Sequence, residues 1–458
     1  MTSIVSINPW TGQELARFEN DDRAIVDAAL SAAVTAQAQW RKVPIAERVP
    51  LLGRLARVLR EGKERYARLI TLEMGKPIGE AEAEIEKCAW NCDFYADMAP
   101  VYLADEAARS KAGEASVVFD PLGVVLAIMP WNYPLWQFFR FAAPAFAAGN
   151  GVILKHANNV PQCALAIQEI VEAADAPAGL LHTLLIEPGE VAALIADDRI
   201  AAVTLTGSTR VGSLVAAQAG AALKKQVLEL GGSDPFIVLA DADIEAAASV
   251  AVRSRFLNAG QSCVNAKRFI VEECAADEFV AAFSAGVERL RVGDPLQRDT
   301  DIGPMARANL RADLHEQVQR TVAEGGELRS GGSFVPGPGF AYAPTVIDRV
   351  TPHMAAFREE TFGPVAAIRR AKEVDEAIGL ANRTEFGLGA SLWTRNVDRA
   401  RQLARRIDAG AVFINSMVAS SPELPFGGIK KSGYGRELGS YGIREFVNIK
   451  TVCIGSRT

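Results

Sequence analysis

Six cysteines and four histidines are scattered along 458 residues, and that scarcity removes two classes of protein at once. Cys88, Cys92, Cys163, Cys263, Cys274 and Cys453 are too sparse for a disulfide framework. Cys88 and Cys92 stand one helical turn apart, but no histidines pair with them at a ligand spacing, so they read as buried helix thiols and no metal is expected. Positive charge is also in deficit: 49 Lys and Arg face 55 Asp and Glu, a net charge of -6, and no Lys/Arg-rich block occurs. Nucleic acid, which demands a basic face, is therefore not an expected partner. The stretch Met1 to Trp10 lacks a basic region followed by an apolar run. No signal peptide is expected, and a reducing cytoplasm fits the thiols best. Also missing are a Gly-x-Gly-x-x-Gly fingerprint and a Walker loop, so any nucleotide site must be built otherwise.

What remains has the texture of an ordinary folded protein. The composition is 49% hydrophobic and 23% charged, and the length allows two or three domains with a large core. One uncharged run, Pro121 to Phe139, is long enough to suggest a membrane span. Pro130, Asn132 and Pro134 interrupt its middle, and proline inside a helix costs about 3 kcal/mol. The run reads instead as a buried strand, a functional turn and a buried helix, with no membrane partner.

The first hundred residues read as helices, with Ala24–Trp40 Ala-rich and Ala46–Met74 alternating apolar and charged positions. From about residue 122 short apolar runs appear at Gly123–Met129, Gly151–Lys155, Leu180–Ile186 and Ala201–Thr206, separated by helical segments such as Pro161–Ala174 and Gly189–Ala196. After Gly231-Gly232 the alternation restarts, with strands at Pro235–Ala240, Arg268–Glu272, Pro364–Arg369 and Ala411–Asn415 and helices at Ile244–Phe256, Ala275–Leu290 and Asn396–Ile407. Apolar strands with crossover helices imply an α/β fold of two doubly wound parallel halves. The segment Tyr441–Val452 reads as an exposed strand, and a bare edge invites another chain.

Four segments carry chemistry: Pro130-Trp131-Asn132-Tyr133-Pro134, Leu228-Glu229-Leu230-Gly231-Gly232, Gly260-Gln261-Ser262-Cys263 and Glu360-Thr361-Phe362-Gly363-Pro364. Their order and separation resemble the aldehyde dehydrogenase superfamily over essentially the whole chain. Leu154-Lys155-His156-Ala157 and Glu229–Ala240 resemble the branch of short bacterial succinate-semialdehyde dehydrogenases. The resemblance implies an aldehyde dehydrogenase-like fold. Residues 1–103 and 122–229 would form a dinucleotide-binding domain, 230–432 a catalytic domain, and 104–121 with 433–458 an oligomerisation arm of a homodimer or homotetramer.

The chemistry of aldehyde oxidation explains the residue types. A planar carbonyl has no hydride that leaves easily, so a thiolate must first add to it, and expulsion of hydride then leaves a thioester. Cys263 suits this role, because the small polar flank Asn258-Ala259-Gly260-Gln261-Ser262 suggests an exposed turn. Asn132, pinned between two prolines, can donate its amide to the developing oxyanion. Glu229 before two glycines can activate water for thioester hydrolysis if an apolar setting raises its pKa.

Gly207-Ser208-Thr209-Arg210-Val211-Gly212 follows a strand and opens a helix, so its N–H groups and Ser208 can meet a pyrophosphate. The resemblance further implies Lys155 on the adenosine ribose, Glu360 on the nicotinamide ribose, Leu230 and Trp131 beside the dinucleotide, and Phe362 against the nicotinamide. Many NAD-preferring relatives carry glutamate three positions after that lysine. Here it is Asn158, which would not repel a 2′-phosphate, so NADP is expected alongside or ahead of NAD. Arg140, eight residues after Asn132, is implied to hold a substrate carboxylate, aided by Ser421, making succinate semialdehyde the expected aldehyde. A second substrate arginine found in relatives is replaced by Leu257, and Asn265 stands where some relatives carry a regulatory cysteine. Alternatives left open are a broad-specificity or aromatic aldehyde dehydrogenase, a CoA-acylating enzyme, which would not need Glu229, a cysteine hydrolase, which would need a histidine partner, and a non-catalytic scaffold.

Overall fold

The computed structural model describes residues 3–111 and 113–455. Met1 and Thr2 of the expected 1–103 segment, and the last three residues of the expected 433–458 arm, lie outside the described residues. A hairpin of β1 (Ser3–Ile7) and β2 (Glu14–Glu19) opens the chain, followed by helices between Arg23 and Tyr102 and by β3 (Glu106–Ser110) and β4 (Gly113–Pro121). Next come β5 (Val124–Met129), β6 (Gly151–His156), β7 (Leu181–Leu184), β8 (Ile200–Thr206) and β9 (Lys225–Glu229). The second half holds β10 (Asp234–Val238), β11 (Ala266–Glu272), β12 (Glu327–Ser330), β13 (Thr345–Asp348), β14 (Val365–Ala371), β15 (Gly389–Trp393) and β16 (Ala411–Ile414). The short β17 (Gly433–Tyr434) and the long β18 (Val447–Gly455) end it.

The first large sheet has the order β17-β9-β8-β5-β6-β7, and the second the order β12-β13-β14-β11-β10-β15-β16. Only β17 and β12 run antiparallel to their neighbours within these sheets. The expected pair of doubly wound α/β halves is therefore present. Every residue of β6 is buried, and β11 is buried along all but its last residue, as parallel strands covered by helices on both faces must be. The uncharged Pro121–Phe139 run resolves into β5, a proline-bounded turn and the helix Pro134–Ala148, whose residues are all buried. No helix among the described residues is long and apolar enough to cross a membrane.

Three local expectations change. The first hundred residues are not all helical, because β1 and β2 pair antiparallel. Ser6 of β1 is buried and donates to the Glu73 carboxylate at 2.7 Å, and Ile4 is buried beside it, so the strand is anchored by two inward residues rather than by a long apolar run. Residues 433–446 do not extend the arm. Gly433 and Tyr434 pair with Glu229 and Leu228 on the first sheet, and the helix Gly439–Ile443 packs on the helices Ile78–Tyr102 and Pro134–Ala148 with Gly442 and Ile443 buried. The exposed strand thus starts at Val447, not Tyr441. It pairs with β4, and with β3 they make a three-stranded antiparallel sheet.

The winding fixes where a ligand can sit. In the first sheet the chain proceeds from β5 outward through β6 and β7, then returns to the other side of β5 for β8 and β9. The winding reverses between β5 and β8, and crevices form beyond the carboxyl ends of strands at such a switch point. Asn132 follows β5, Asn158 follows β6, Gly207 follows β8 and Glu229 ends β9. From the second sheet, Cys263 precedes β11, Glu360 precedes β14 and Gly232 precedes β10. Carboxyl ends of one sheet meet amino ends of the other.

Candidate active site

The turn carrying Cys263 is buried, contrary to the exposed turn expected from its small polar flank: Asn258, Ala259, Gly260, Gln261 and Ser262 are all inaccessible. Most of its polar groups bond within the protein, although Asn258 Oδ1 has no hydrogen-bond partner among the described residues. The chain takes positive φ at Asn258 (56°), Ala259 (51°) and Gly260 (71°), a left-handed run that costs about 1–2 kcal/mol per non-glycine residue. Side chains hold it there. The Asn132 amide donates to the Gln261 carbonyl at 3.1 Å, and the Asn258 amide donates to the carbonyls of Asn132 (2.8 Å) and Gln261 (3.1 Å). Gln261 accepts from the Ala306 N–H at 2.9 Å. Asn265 donates to the carbonyls of Arg255 and Leu257 at 3.0 and 3.1 Å. Lys267, buried, donates to the carbonyls of Ser262 and Cys263 at 2.9 Å each. Cys263 itself is half-buried. Burial pushes its thiol up to about 11, against the pull of Arg140 and Lys267.

Asn132 approaches this loop from β5 with its side chain 5% exposed. One hydrogen of its Nδ2 is used on Gln261, which leaves the second for another acceptor. Glu229 is buried at the end of β9 and neither carboxylate oxygen has a hydrogen-bond partner among the described residues. Burial first, and the neighbouring Glu437 second, hold its carboxyl well above the usual range, while Arg140 opposes both. Gly427 leaves the space: a Cβ there would stand 2.7 Å from Glu229 Oε1.

Arg140, expected on a substrate carboxylate, lines the cavity that Cys263 opens into and is also paired within the chain. Arg140 and Glu437 form an ion pair through the guanidinium Nε, with side chains 2% and 3% exposed. Arg140 also donates to Thr206 Oγ1 at 3.3 Å and lies 4.8 Å from the Phe426 ring centroid. A buried guanidinium needs a counter-ion in the folded chain itself, and Glu437 provides it. Ser421 departs from expectation. It donates to Glu423 and is not among the residues lining the cavity described below, where Ser420 stands instead.

The residues expected around a dinucleotide gather beyond the first sheet. Lys155 donates to Asn158 Oδ1 at 2.6 Å, and burial brings its amine down to about 8. Asn158 in turn donates to Glu187 at 3.3 Å. The Gly207 N–H donates to the Glu229 carbonyl at 2.9 Å. Ser208 caps the helix Thr209–Ala221 by accepting from Val211 N–H at 3.4 Å. Gly212 packs on Leu230 with no room for a Cβ. Trp131 and Phe362 meet edge to face with centroids 5.7 Å apart. Glu360 accepts from the Gly232 N–H at 2.9 Å and lies 3.6 Å from Lys267. One ammonium thereby ties the Cys263 loop to Glu360, a link the sequence did not reveal. Its signal was available: Lys267 and Arg268 are consecutive cations inside an apolar strand.

Cys263 opens into a cavity of about 630 Å³ that is also lined by Tyr133, Trp136, Arg140, Lys87 and Ser420. Of the residues expected to carry chemistry, Cys263 and Arg140 line this cavity, and Asn132 reaches the Cys263 loop through Gln261. No group of histidine, cysteine and carboxylate side chains able to hold a metal occurs among the described residues. Cys88 and Cys92 are buried as expected, Cys163 is buried too, and Cys274 and Cys453 are exposed.

Similarities to known proteins follow the same lines. The aldehyde dehydrogenase family matches residues 1–452. The probable NADP(+) succinate-semialdehyde dehydrogenase of Synechocystis is 51% identical over 452 residues, covering 99% of this chain and all of that one. A succinate semialdehyde dehydrogenase of Escherichia coli that is named for NAD(P)+ is 49% identical over 451 residues, 98% of each chain. Among solved structures, succinic semialdehyde dehydrogenase from Streptococcus pyogenes in complex with NADP+ superposes with a TM-score of 0.97 at 38% identity, covering 99% of this chain and 100% of that one. Two facing parallel sheets with a thiol at their junction, and a match along nearly the whole length, lead to one conclusion: the chain belongs to the aldehyde dehydrogenase family.

Proposed function

We propose that this protein oxidises succinate semialdehyde to succinate with NADP or NAD, through a thioester on Cys263. The observation that carries the reading is the half-buried Cys263 thiol opening into a cavity while Glu229 waits, buried and unpaired, at the end of β9. The Cys263 thiolate adds to the aldehyde carbon, and the carbonyl oxygen becomes an oxyanion that takes a hydrogen bond from the free hydrogen of Asn132 Nδ2. Losing one such donor typically costs about 10²–10³ in rate. Collapse of the oxyanion releases the aldehydic hydrogen as hydride and leaves the thioester. The bound nicotinamide supplies the hydride acceptor. Glu229 then takes a proton from water, the hydroxide adds to the thioester carbon, and the Cys263 thiolate leaves with the carboxylic acid free. A carboxyl raised by burial is the right base for that step.

The dinucleotide fits the residues present. Gly207, Ser208 and the start of the helix Thr209–Ala221 suit the pyrophosphate, with Gly212 and Leu230 packed beneath. Lys155 and Asn158 suit the adenosine ribose, Glu360 the nicotinamide ribose, and Trp131 with Phe362 the ring. At position 158 the side chain is a neutral amide that Lys155 already touches, which supports acceptance of a 2′-phosphate. The names of the relatives, for NADP(+) and NAD(P)+, point the same way.

The protein is further proposed to act as a homodimer or homotetramer in the cytoplasm. Outward residues of β18 support an assembly: Ile449 and Ile454 are 59% and 61% exposed on a strand with one unpaired edge, and such edges seek partners. The test of the function is an initial-rate comparison of succinate semialdehyde, butanal and benzaldehyde with both nicotinamides. A kcat/KM for succinate semialdehyde at least tenfold above butanal supports the reading. Equal values make it a broad-specificity enzyme, and acyl-CoA formed on adding CoA removes Glu229 from the mechanism.

A further inference from the structure

Lys87 is a half-buried cation of the cavity with no carboxylate paired to it among the described residues. It projects from the helix Ile78–Tyr102, and its amine donates to Ser420 Oγ at 2.8 Å and stands 4.4 Å from the Trp136 ring centroid. By contrast, Arg140 on the same wall is paired with Glu437, and buried Lys76 with Glu84. Arg253 also lines the cavity, but it is exposed and water already solvates its charge. Burial, then the nearby Arg140, brings the Lys87 amine down to about 8. A half-buried ammonium beside a second cation gains most from an incoming anion.

We infer that Lys87, held in place by Ser420 and Trp136, receives the far carboxylate of an ω-carboxylated aldehyde whose other end meets Cys263. This rests on the substrate reading above and adds Lys87 as a second contact beside Arg140, which lines the same cavity. The ammonium, the serine hydroxyl and the ring face together form a site for an anion on a short apolar stem: the charge meets Lys87, a second oxygen accepts from Ser420 once the hydroxyl turns, and the methylenes lie along Trp136.

The experiment compares KM for succinate semialdehyde and for butanal, an uncharged aldehyde of the same length, in the wild type, Lys87→Met, Lys87→Arg and Ser420→Ala. The expected result is a KM for the semialdehyde raised roughly ten- to a hundredfold in Lys87→Met, with butanal changed less than about twofold and Lys87→Arg recovering most of the loss. Should Lys87→Met fail to fold, Ser420→Ala and Lys87→Arg carry the comparison, with the semialdehyde KM rising severalfold in Ser420→Ala alone. Equal losses on both aldehydes, or an unchanged preference in Lys87→Met, overturn the assignment while leaving the substrate reading standing. A wild-type enzyme with no preference for the semialdehyde overturns the substrate reading, and the assignment with it.

Discussion

Arg140 and Glu437 lie 297 positions apart in the chain and form a buried ion pair beside Glu229. Glu229 and Glu437 thus share one small region with Arg140, and Arg436 also acts on Glu229. Removing the Arg140 charge strands Glu437, and breaking a buried pair from one side typically costs about 3–5 kcal/mol. Arg140→Leu is expected to lower the melting temperature and to reduce activity towards both succinate semialdehyde and butanal. Adding Glu437→Leu should restore part of the stability. A melting temperature unchanged in Arg140→Leu would mean that the pair contributes nothing, and a loss confined to the semialdehyde would limit Arg140 to the substrate contact.

Cys263→Ala should abolish aldehyde oxidation while leaving dinucleotide affinity within about twofold, since no hydrogen bond from the thiol supports Lys155, Ser208 or Glu360. Isothermal titration with NADP and NAD, set beside an aldehyde assay, checks both halves. Measurable turnover in a clean preparation removes Cys263 from the nucleophile role.

Glu229→Gln should give a stoichiometric burst of reduced cofactor followed by a slow phase, because water activation comes after hydride loss. Replacing an acid that crowds Glu437 also relieves a repulsion, so the variant should fold at least as stably as the wild type. Stopped-flow absorbance at the reduced nicotinamide band reads the burst. Its absence would place Glu229 before hydride transfer.

The Cys263 thiol in the free protein is pushed up to about 11, above the ordinary cysteine value, by burial. A raised thiol pKa keeps the unreactive protonated form dominant through neutral pH, and the thiolate fraction then grows about tenfold per pH unit. Alkylation of Cys263 by iodoacetamide, followed at that peptide by mass spectrometry, should accelerate about tenfold per unit between pH 7 and 9. A rate already flat at pH 7 would show the thiolate present without ligand. Cys274 and Cys453, exposed, serve as internal references.

Asn158→Glu should shift cofactor use towards NAD. A carboxylate there would stand beside Glu187, which already accepts from Asn158 at 3.3 Å, and two negative charges next to Lys155 repel a 2′-phosphate. The ratio of kcat/KM for NADP over NAD should fall at least about tenfold. An unchanged ratio would place residue 158 away from the ribose.

Much of this site was legible because its residues are local and chemically explicit. Asn132 sits between prolines, Glu229 before glycines and Cys263 in a small polar turn, and each motif abuts a strand whose apolar run is readable by itself. Glu437 was not legible. It lies in a glycine-rich stretch with nothing to mark it as the counter-ion of Arg140, because an ion pair across such a separation leaves no periodic trace. The burial of Asn258 to Ser262 was misread for a related reason. Small polar residues signal a turn, but whether solvent or neighbouring amides satisfy it depends on Asn132, Asn265 and Lys267 arriving from elsewhere. Lys87 occupies an unremarkable helical position, and only the packing of three separate segments makes its charge conspicuous.

The pairing of β17 with β9 bears on how the chain comes off the ribosome. Synthesis delivers the first sheet's parallel strands by residue 229, but the strand that closes its edge, at Gly433–Tyr434, and the acid that neutralises Arg140 emerge some two hundred residues later. Until then the nascent amino-terminal half holds an uncompensated internal cation and an open sheet margin. Its final consolidation must wait for nearly the whole polypeptide, so a message truncated anywhere before residue 437 yields not a smaller working domain but a client for chaperones.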